Sequence, residues 1–184
     1  HSRMEKMDVY FVKTQGTGDR SVNKDLGFTR AHHVMLSYGF KISDNMNMKI
    51  EPYFQQLYDV PVIADSSYSV LNRRDFYVEN ALVNRGKGRN IGVDITLERY
   101  LNKGLYYMVT ASIFDSKYYG GDRKWRNTLY NRNFIINVLG GKEWMVGRDK
   151  QNMFSVNFKI TLQGGDRYAP VDEVATLLDP DREV

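Results

Sequence analysis

Carboxylates come first among the residues that could do chemistry. Glu51, Asp94 and Glu98 could serve as the acid and base of a hydrolase, a reaction that needs two carboxyl groups a few ångströms apart with different proton affinities. Each of them, however, sits in a stretch that alternates apolar and polar residues, with Lys49 or a serine, threonine or asparagine close by. A hydrated wall carries such side chains without any catalytic duty. His32 and His33 are the next candidates, as metal ligands. Adjacent residues of a strand point to opposite faces and cannot hold one ion together. His1 is the remaining histidine, and cysteine is absent. That removes thiolate sites and any disulfide framework.

Three further strings fail as sites. Gly86-Lys87-Gly88-Arg89-Asn90-Ile91-Gly92 is rich in glycine and cations, as a phosphate-binding loop is. Its glycine spacing fits neither the dinucleotide nor the nucleotide-triphosphate pattern, and it leads into a strand instead of a helix N-terminus. Asp44-Asn45-Met46-Asn47 lacks the glycine and closing glutamate of a calcium loop. Gly164-Gly165-Asp166-Arg167-Tyr168 pairs no nucleophile with a base. No catalytic, cofactor-binding or metal-ligating residue is assigned, no cofactor is expected, and the chain is not expected to be an enzyme.

The elements behind these residues repeat with a period of two. Val34, Leu36, Tyr38, Phe40 and Ile42 alternate with Met35, Ser37, Gly39 and Lys41. Met48, Ile50, Phe54 and Tyr58 alternate with Lys49, Glu51, Gln55 and Asp59. The pattern is cleanest where Ile91, Val93, Ile95 and Leu97 oppose Gly92, Asp94, Thr96 and Glu98. It returns from Leu105 to Ile113, and again where Phe154, Val156, Phe158, Ile160 and Leu162 oppose Ser155, Asn157, Lys159, Thr161 and Gln163. Such alternation predicts strands with one greasy and one wet face. A strand is also expected around Phe134, Ile136 and Val138, with Ile135 and Leu139 blurring its faces, and a weaker one in the opening stretch to Val12. Pro52 should mark a bulge or a gap in the ladder.

Connection lengths alternate too. Short turns are expected at Ser43–Asn47, Leu101–Gly104 and Gly147–Gln151; long polar connections run from Lys13 to Gly27, Pro61 to about Val83 and Gly120 to Asn131. An antiparallel meander with short turns at one end and long loops at the other is the layout of an outer-membrane barrel. Tyrosines gather at strand ends: Tyr100, Tyr106 and Tyr107 at one, Tyr118 and Tyr119 with Trp125 at the other. Tyr107 and Tyr119 share a face, and the strand between them, tilted by about 40°, rises on the order of 30 Å. That is the spacing of two aromatic girdles around an apolar band.

Bulk properties agree. The chain of 184 residues has a formal net charge of +4, but its basic residues are spread among acidic ones, so nucleic acid is not an expected partner. No run approaches the roughly 18 to 20 apolar residues of a membrane helix. The mean hydropathy of −0.52 is no argument against a barrel, whose strands dilute every apolar residue with a polar one.

Taken together, His1-Ser2-Arg3, Ile50 to Val62, Glu79 to Gly88, Gly92 to Arg99, Asn127 to Asn131, Gly140-Gly141-Lys142-Glu143 and Gln163 to Asp172 resemble the barrel of TonB-dependent receptors of the Bacteroidota type. The resemblance implies a barrel of about 22 strands closed by a plug domain. Such a barrel imports iron chelates, cobalamin or glycans through the Gram-negative outer membrane. It also implies outer-membrane lipid as a partner, the TonB complex acting through an N-terminal part, a surface lipoprotein in some systems, and a small-molecule or glycan substrate. The chain shows no plug pattern, so residues 1–184 are expected to form one partial barrel domain from the C-terminal half: about seven long strands, all-β and antiparallel. Lys49, Glu51, Asp94, Glu98, Asn157 and Lys159 would face the lumen. Val34, Leu36, Tyr38, Phe40, Ile91, Val93, Ile95, Leu97, Phe154, Val156, Phe158 and Ile160 would face lipid. The loops at Pro61–Asp75, Tyr118–Asn131 and Gly164–Asp172 would face the medium. The alternative is a soluble β-barrel that turns the same greasy face inward around a small apolar ligand. The two differ in whether that face meets a second layer of protein.

Overall fold

Residues that alternate apolar and polar can satisfy every backbone group in a ladder while sending the two kinds of side chain to opposite sides. In the computed structural model, which describes residues 1–14, 20–73 and 80–167, they do so within one antiparallel sheet. Its strands are β1 (Ser2–Arg3), β2 (Thr29–Met35), β3 (Tyr38–Ser43), β4 (Met46–Val62), β5 (Val83–Asn102), β6 (Leu105–Tyr119), β7 (Trp125–Asn127), β8 (Phe134–Val146) and β9 (Asn152–Gln163). Seven strands lie side by side in chain order along the sheet, with β3 paired to β4 and β7 to β6 off that path. The chain is therefore an all-β antiparallel meander.

Pro52 explains why β2 and β3 are separate. Met35 faces Tyr53 and Tyr38 faces Ile50, so the register is unchanged across the gap. The Leu36 amide donates to the Pro52 carbonyl at 3.1 Å, but proline has no N–H with which to return the bond. The gap in the ladder is one of the two outcomes expected at Pro52; the splitting of the Val34–Ile42 stretch, expected as one strand, into β2 and β3 is its consequence on the partner.

The short turns lie at one end of the sheet. Lys103 and Gly104 both have positive φ, 51° and 73°, the geometry of a type I′ hairpin turn. A side chain on Gly104 would run into the Glu143 carbonyl, so only glycine fits there. At the opposite end the long connections fold into a loop layer. Its buried centre is Val9, Val12 and Leu82, packed by Val22, Leu26, Ile63, Tyr68 and Val70. Asn23 ties the layer together: its Nδ2 donates to the Asn80 carbonyl at 2.9 Å and its Oδ1 accepts from the Leu82 amide at 2.8 Å.

The opening stretch differs from expectation. It contributes only the two residues of β1, followed by a single helical turn, α1 (Met7–Tyr10). Val9 and Val12 are three residues apart. Val9 lies in the turn and Val12 just beyond it, and the loop layer buries both; a chain extended throughout would have sent them to opposite faces.

Val60 and Val62, at the loop end of β4, are also fully buried. Asp59, with φ of 54°, precedes them at a break in register between Leu57 and Val60. Apolar burial is therefore concentrated at the loop end. Every residue of β3 and of β9 is exposed, and no second sheet lies over the strands among the described residues.

Candidate functional site

The register sorts every strand residue onto one of two faces. On the first, Tyr38, Ile50, Ile95, Ala111, Ile136 and Leu162 form one continuous row across the sheet, and Phe40, Met48, Leu97, Val109, Val138 and Ile160 form the next. Toward the loops follow Pro52, Val93, Ile113 and Phe134, then Val34, Phe54 and Ile91. Toward the turns lie Phe158 and Val156, and then Trp144 stacked on Phe154 with ring centres 5.7 Å apart. Much of this face is bare: Leu36 is 70% exposed, Val34 62%, Ile160 53% and Phe158 50%. Val93, Ile95 and Leu97 are half-buried by their strand neighbours alone. A patch of this extent far exceeds the few hundred Å² that soluble monomers expose.

The second face is polar and internally bonded. Lys49, Thr96, Thr110, Asn137 and Thr161 run in one row. The Lys49 ammonium lies 2.7 Å from Glu51, the Ser112 hydroxyl donates to Asp94 at 2.6 Å, and Thr161 donates to Asn137 at 2.9 Å. Glu51 and Asp94 are directly opposite each other in register. Each already has its own compensating partner, a cation for one and a hydroxyl for the other. Asn157 accepts from the Tyr106 hydroxyl at 2.8 Å. Lys159 faces Leu139, and Glu98 lies between Asn47 and Met108. The six residues expected on the wet side thus share one face, and the twelve expected on the greasy side share the other.

The aromatic clusters divide between the faces. Tyr107, Tyr119 and Trp125 stand on the apolar face, and Tyr119 packs against Trp125 at 5.4 Å. Tyr100, Tyr106 and Tyr118 stand on the polar one, because strand neighbours alternate. Tyr118 is only 5% exposed there. Two polar-face tyrosines have a use that pattern reading missed: the rings of Tyr53 and Tyr106 lie over Gly92 and Gly141, filling space that a side chain at either glycine would occupy. A tyrosine one strand away from a glycine in register was the available signal. The polar face is also not uniformly polar, since Met108 meets Leu139 in the row between Glu98 and Lys159.

The histidines are separated as expected. His32 meets the Tyr58 ring edge-on at 5.5 Å on one face, while His33 faces Gln55 on the other. Among the described residues no group of three or more His, Cys, Asp or Glu is placed to hold a metal ion.

At the loop end the two long connections grip each other over the polar face. The Val70–Asn72 helical turn reaches Gly88, whose missing side chain leaves room for Leu71. Asn72 Oδ1 accepts from the Leu129 amide at 2.6 Å, and Tyr130 donates to the Arg73 carbonyl at 2.9 Å. Asp122 donates its amide to the Ser66 carbonyl at 3.0 Å and receives both Nη groups of Arg126, at 2.9 and 2.5 Å. A groove of about 630 Å³, lined by Met4, Met7, Phe11, Arg20, Lys24 and Phe28, opens beside this layer. In the third expected loop, Arg132 pairs with Asp166 at 2.6 Å and Arg167 donates to Asn133 at 2.6 Å. Arg74, Asp75 and residues 168–172 of the expected loops lie outside the described residues.

The Arg126 bonds hold the Asp122 carboxyl below its ordinary range, against a smaller opposing push from desolvation. A carboxylate lowered by folding stabilises the fold above its unfolded value, near 3.9, and loses that contribution as pH falls through the lowered value. The Asp122 carboxyl-carbon NMR signal should therefore titrate with a midpoint below about 3.9. Arg126→Gln should move that midpoint upward; a parent midpoint at or above 3.9 would contradict the clip.

No helix among the described residues is long and apolar enough to cross a membrane, which leaves crossing by strands untouched. Comparison with known proteins gives no match: no family model fits the chain, and no curated protein or solved structure is similar to it.

Proposed function

We propose that this sheet is part of the wall of a β-barrel in the outer membrane of a Gram-negative bacterium, with the apolar face against lipid and the polar face lining a hydrated lumen. One observation carries the reading: an apolar band that includes two complete rows has none of the described residues packed over it, on a sheet whose other face is wet and hydrogen-bonded. Lipid is the solvent that such a face suits.

Two supporting features follow from backbone chemistry. Among the described residues, the β2–β3 side of the sheet and the whole of β9 are edges whose outward N–H and C=O groups have no ladder partner beyond β1. An unsatisfied backbone group in hydrocarbon costs several kcal/mol, so a sheet in lipid must close on further strands. The loop layer, for its part, leans over the polar face, where it would roof a lumen without touching lipid.

The resemblance described above extends this wall to a nutrient importer of the TonB-dependent receptor type. Its work is uptake, not catalysis. The lumen side is wetted by Lys49, Glu51, Asp94, Glu98, Asn157 and Lys159; the loops meet the substrate, an iron chelate, a cobalamin or a glycan. TonB would act through an N-terminal plug, and a surface lipoprotein could cap the loops.

The orientation is tested with tryptophan. Trp144 and Trp125, each 43% exposed, lie on the apolar face at its turn and loop ends. In vesicles whose acyl chains are brominated near the headgroup, both should be quenched, and Trp→Phe difference spectra assign the signal. A folded protein that is monomeric without detergent, with both tryptophans untouched by brominated lipid, would instead support the soluble apolar-ligand barrel.

A further inference from the structure

At the loop end of the apolar face the side chains change character within two positions. Above Ile91 on β5 come Arg89 and then Lys87, on the same face; beside them on β6 and β7 stand Lys117, Tyr119 and Trp125. Lys87 Nζ lies 5.7 Å from the centre of the Tyr119 ring, and Arg89 Cζ lies 5.5 Å from the centre of the Trp125 ring. Two neighbouring cations are already paired: Arg30 with Asp59, and Lys117 with Asp115 at 3.2 Å. Among the described residues no carboxylate pairs with Lys87 or Arg89. Two uncompensated cations are thus held on aromatic rings at the upper limit of a greasy wall.

We propose that Lys87 and Arg89, with Tyr119 and Trp125 beneath them, form a docking site for the phosphate of a membrane lipid headgroup. The inference rests on the lipid-facing orientation given above. Two strand residues of like parity stand about 6.5 Å apart, so both cations can reach one headgroup. The guanidinium offers a planar pair of donors to phosphate oxygens, and the ammonium adds a point charge. The indole and phenol rings suit the boundary between acyl chain and headgroup. Acyl chains would then lie along Ile91, Ile113 and Phe134. The two ions and the apolar rows below them match a single kind of molecule, an amphiphile whose head is anionic.

The test uses the detergent-purified, membrane-inserted protein and native mass spectrometry. Retention of phosphatidic acid is compared with that of phosphatidylcholine, for the parent and for K87Q/R89Q. Each cation near a lipid surface contributes about 1 kcal/mol, about fivefold in binding. The double variant should therefore bind phosphatidic acid about 25-fold more weakly, with phosphatidylcholine unaffected. The charge-conserving K87R/R89K should stay close to the parent, which excludes simple misfolding as the cause. Equal retention of phosphatidic acid by parent and K87Q/R89Q would overturn the proposal. So would displacement of phosphatidic acid by an equal concentration of inorganic phosphate, since the site would then read the anion alone. Brominated-lipid quenching in the same preparations separates the two readings. Quenching with unchanged phosphatidic acid retention sinks the headgroup site alone; no quenching in the parent sinks the membrane orientation with it.

Discussion

Val109→Arg is expected to destabilise the protein in lipid by about 2 to 4 kcal/mol, the cost of an arginine at the middle of a barrel wall facing hydrocarbon. Val109 sits between Leu97 and Val138 in the second full row of the apolar face. Thr110, the next residue, points the other way, between Thr96 and Asn137. Thr110→Lys on that side should fall within about 0.5 kcal/mol of the parent. A charge in a closed interior would also be costly, so the direction of a second change decides. Ala111→Phe adds bulk to the row of Ile95 and Ile136. Against lipid it has room; in a packed core overfilling costs about 1 to 3 kcal/mol. Urea titration of folding into lipid vesicles measures all three. A large loss from Ala111→Phe would remove lipid from that face.

Gly121→Ala is expected to undo the joint between the two long loops while leaving the sheet intact. A methyl group at Gly121 would collide with the Ile63 carbonyl and crowd the Asp65 amide at 3.1 Å. Both obstacles are backbone, so neither can swing away as a side chain would. Asp65 and Arg123, on either side of the joint, already have positive φ of 56° and 62°, which leaves little latitude for a shift. The cost should be about 1 to 3 kcal/mol, confined to the loop layer. Amide exchange reads it out: the Asp122 amide, bonded to Ser66, should lose protection while Val109 and Val138 keep theirs. Unchanged protection at Asp122 would mean that the loops are not joined through this contact.

The greater part of the sheet was legible because a strand's two faces are set by parity, and parity is written in the order of residues. Ile91 to Leu97 needed no partner to reveal which side each residue takes. Turn ends were equally plain: Lys103-Gly104 allows the left-handed backbone that a tight hairpin requires. Pro52 announced its own gap, since the missing N–H is a property of the residue itself. What parity cannot supply is the identity of the neighbour across the ladder. Tyr53 over Gly92, Tyr106 over Gly141 and the Lys87–Tyr119 and Arg89–Trp125 pairs each depend on register between strands distant in sequence. The girdle reading, by contrast, grouped Tyr106 with Tyr107 and Tyr118 with Tyr119 by their place along the strand alone, although parity puts the members of each pair on opposite faces. The opening stretch escaped because its form is set by what it packs on: a helical turn at Met7–Tyr10 lets Val9, and Val12 just beyond it, join Leu82 and Val22, and nothing within residues 1–12 specifies that surface.

The break at Pro52 has a mechanical consequence. Because Leu36 and Pro52 share one bond where two would normally form, β2 and β3 grip β4 as two short zippers instead of one long one. Force applied along that side would meet two small resistances in succession, and either half could let go, or be seated, while the other stayed fastened.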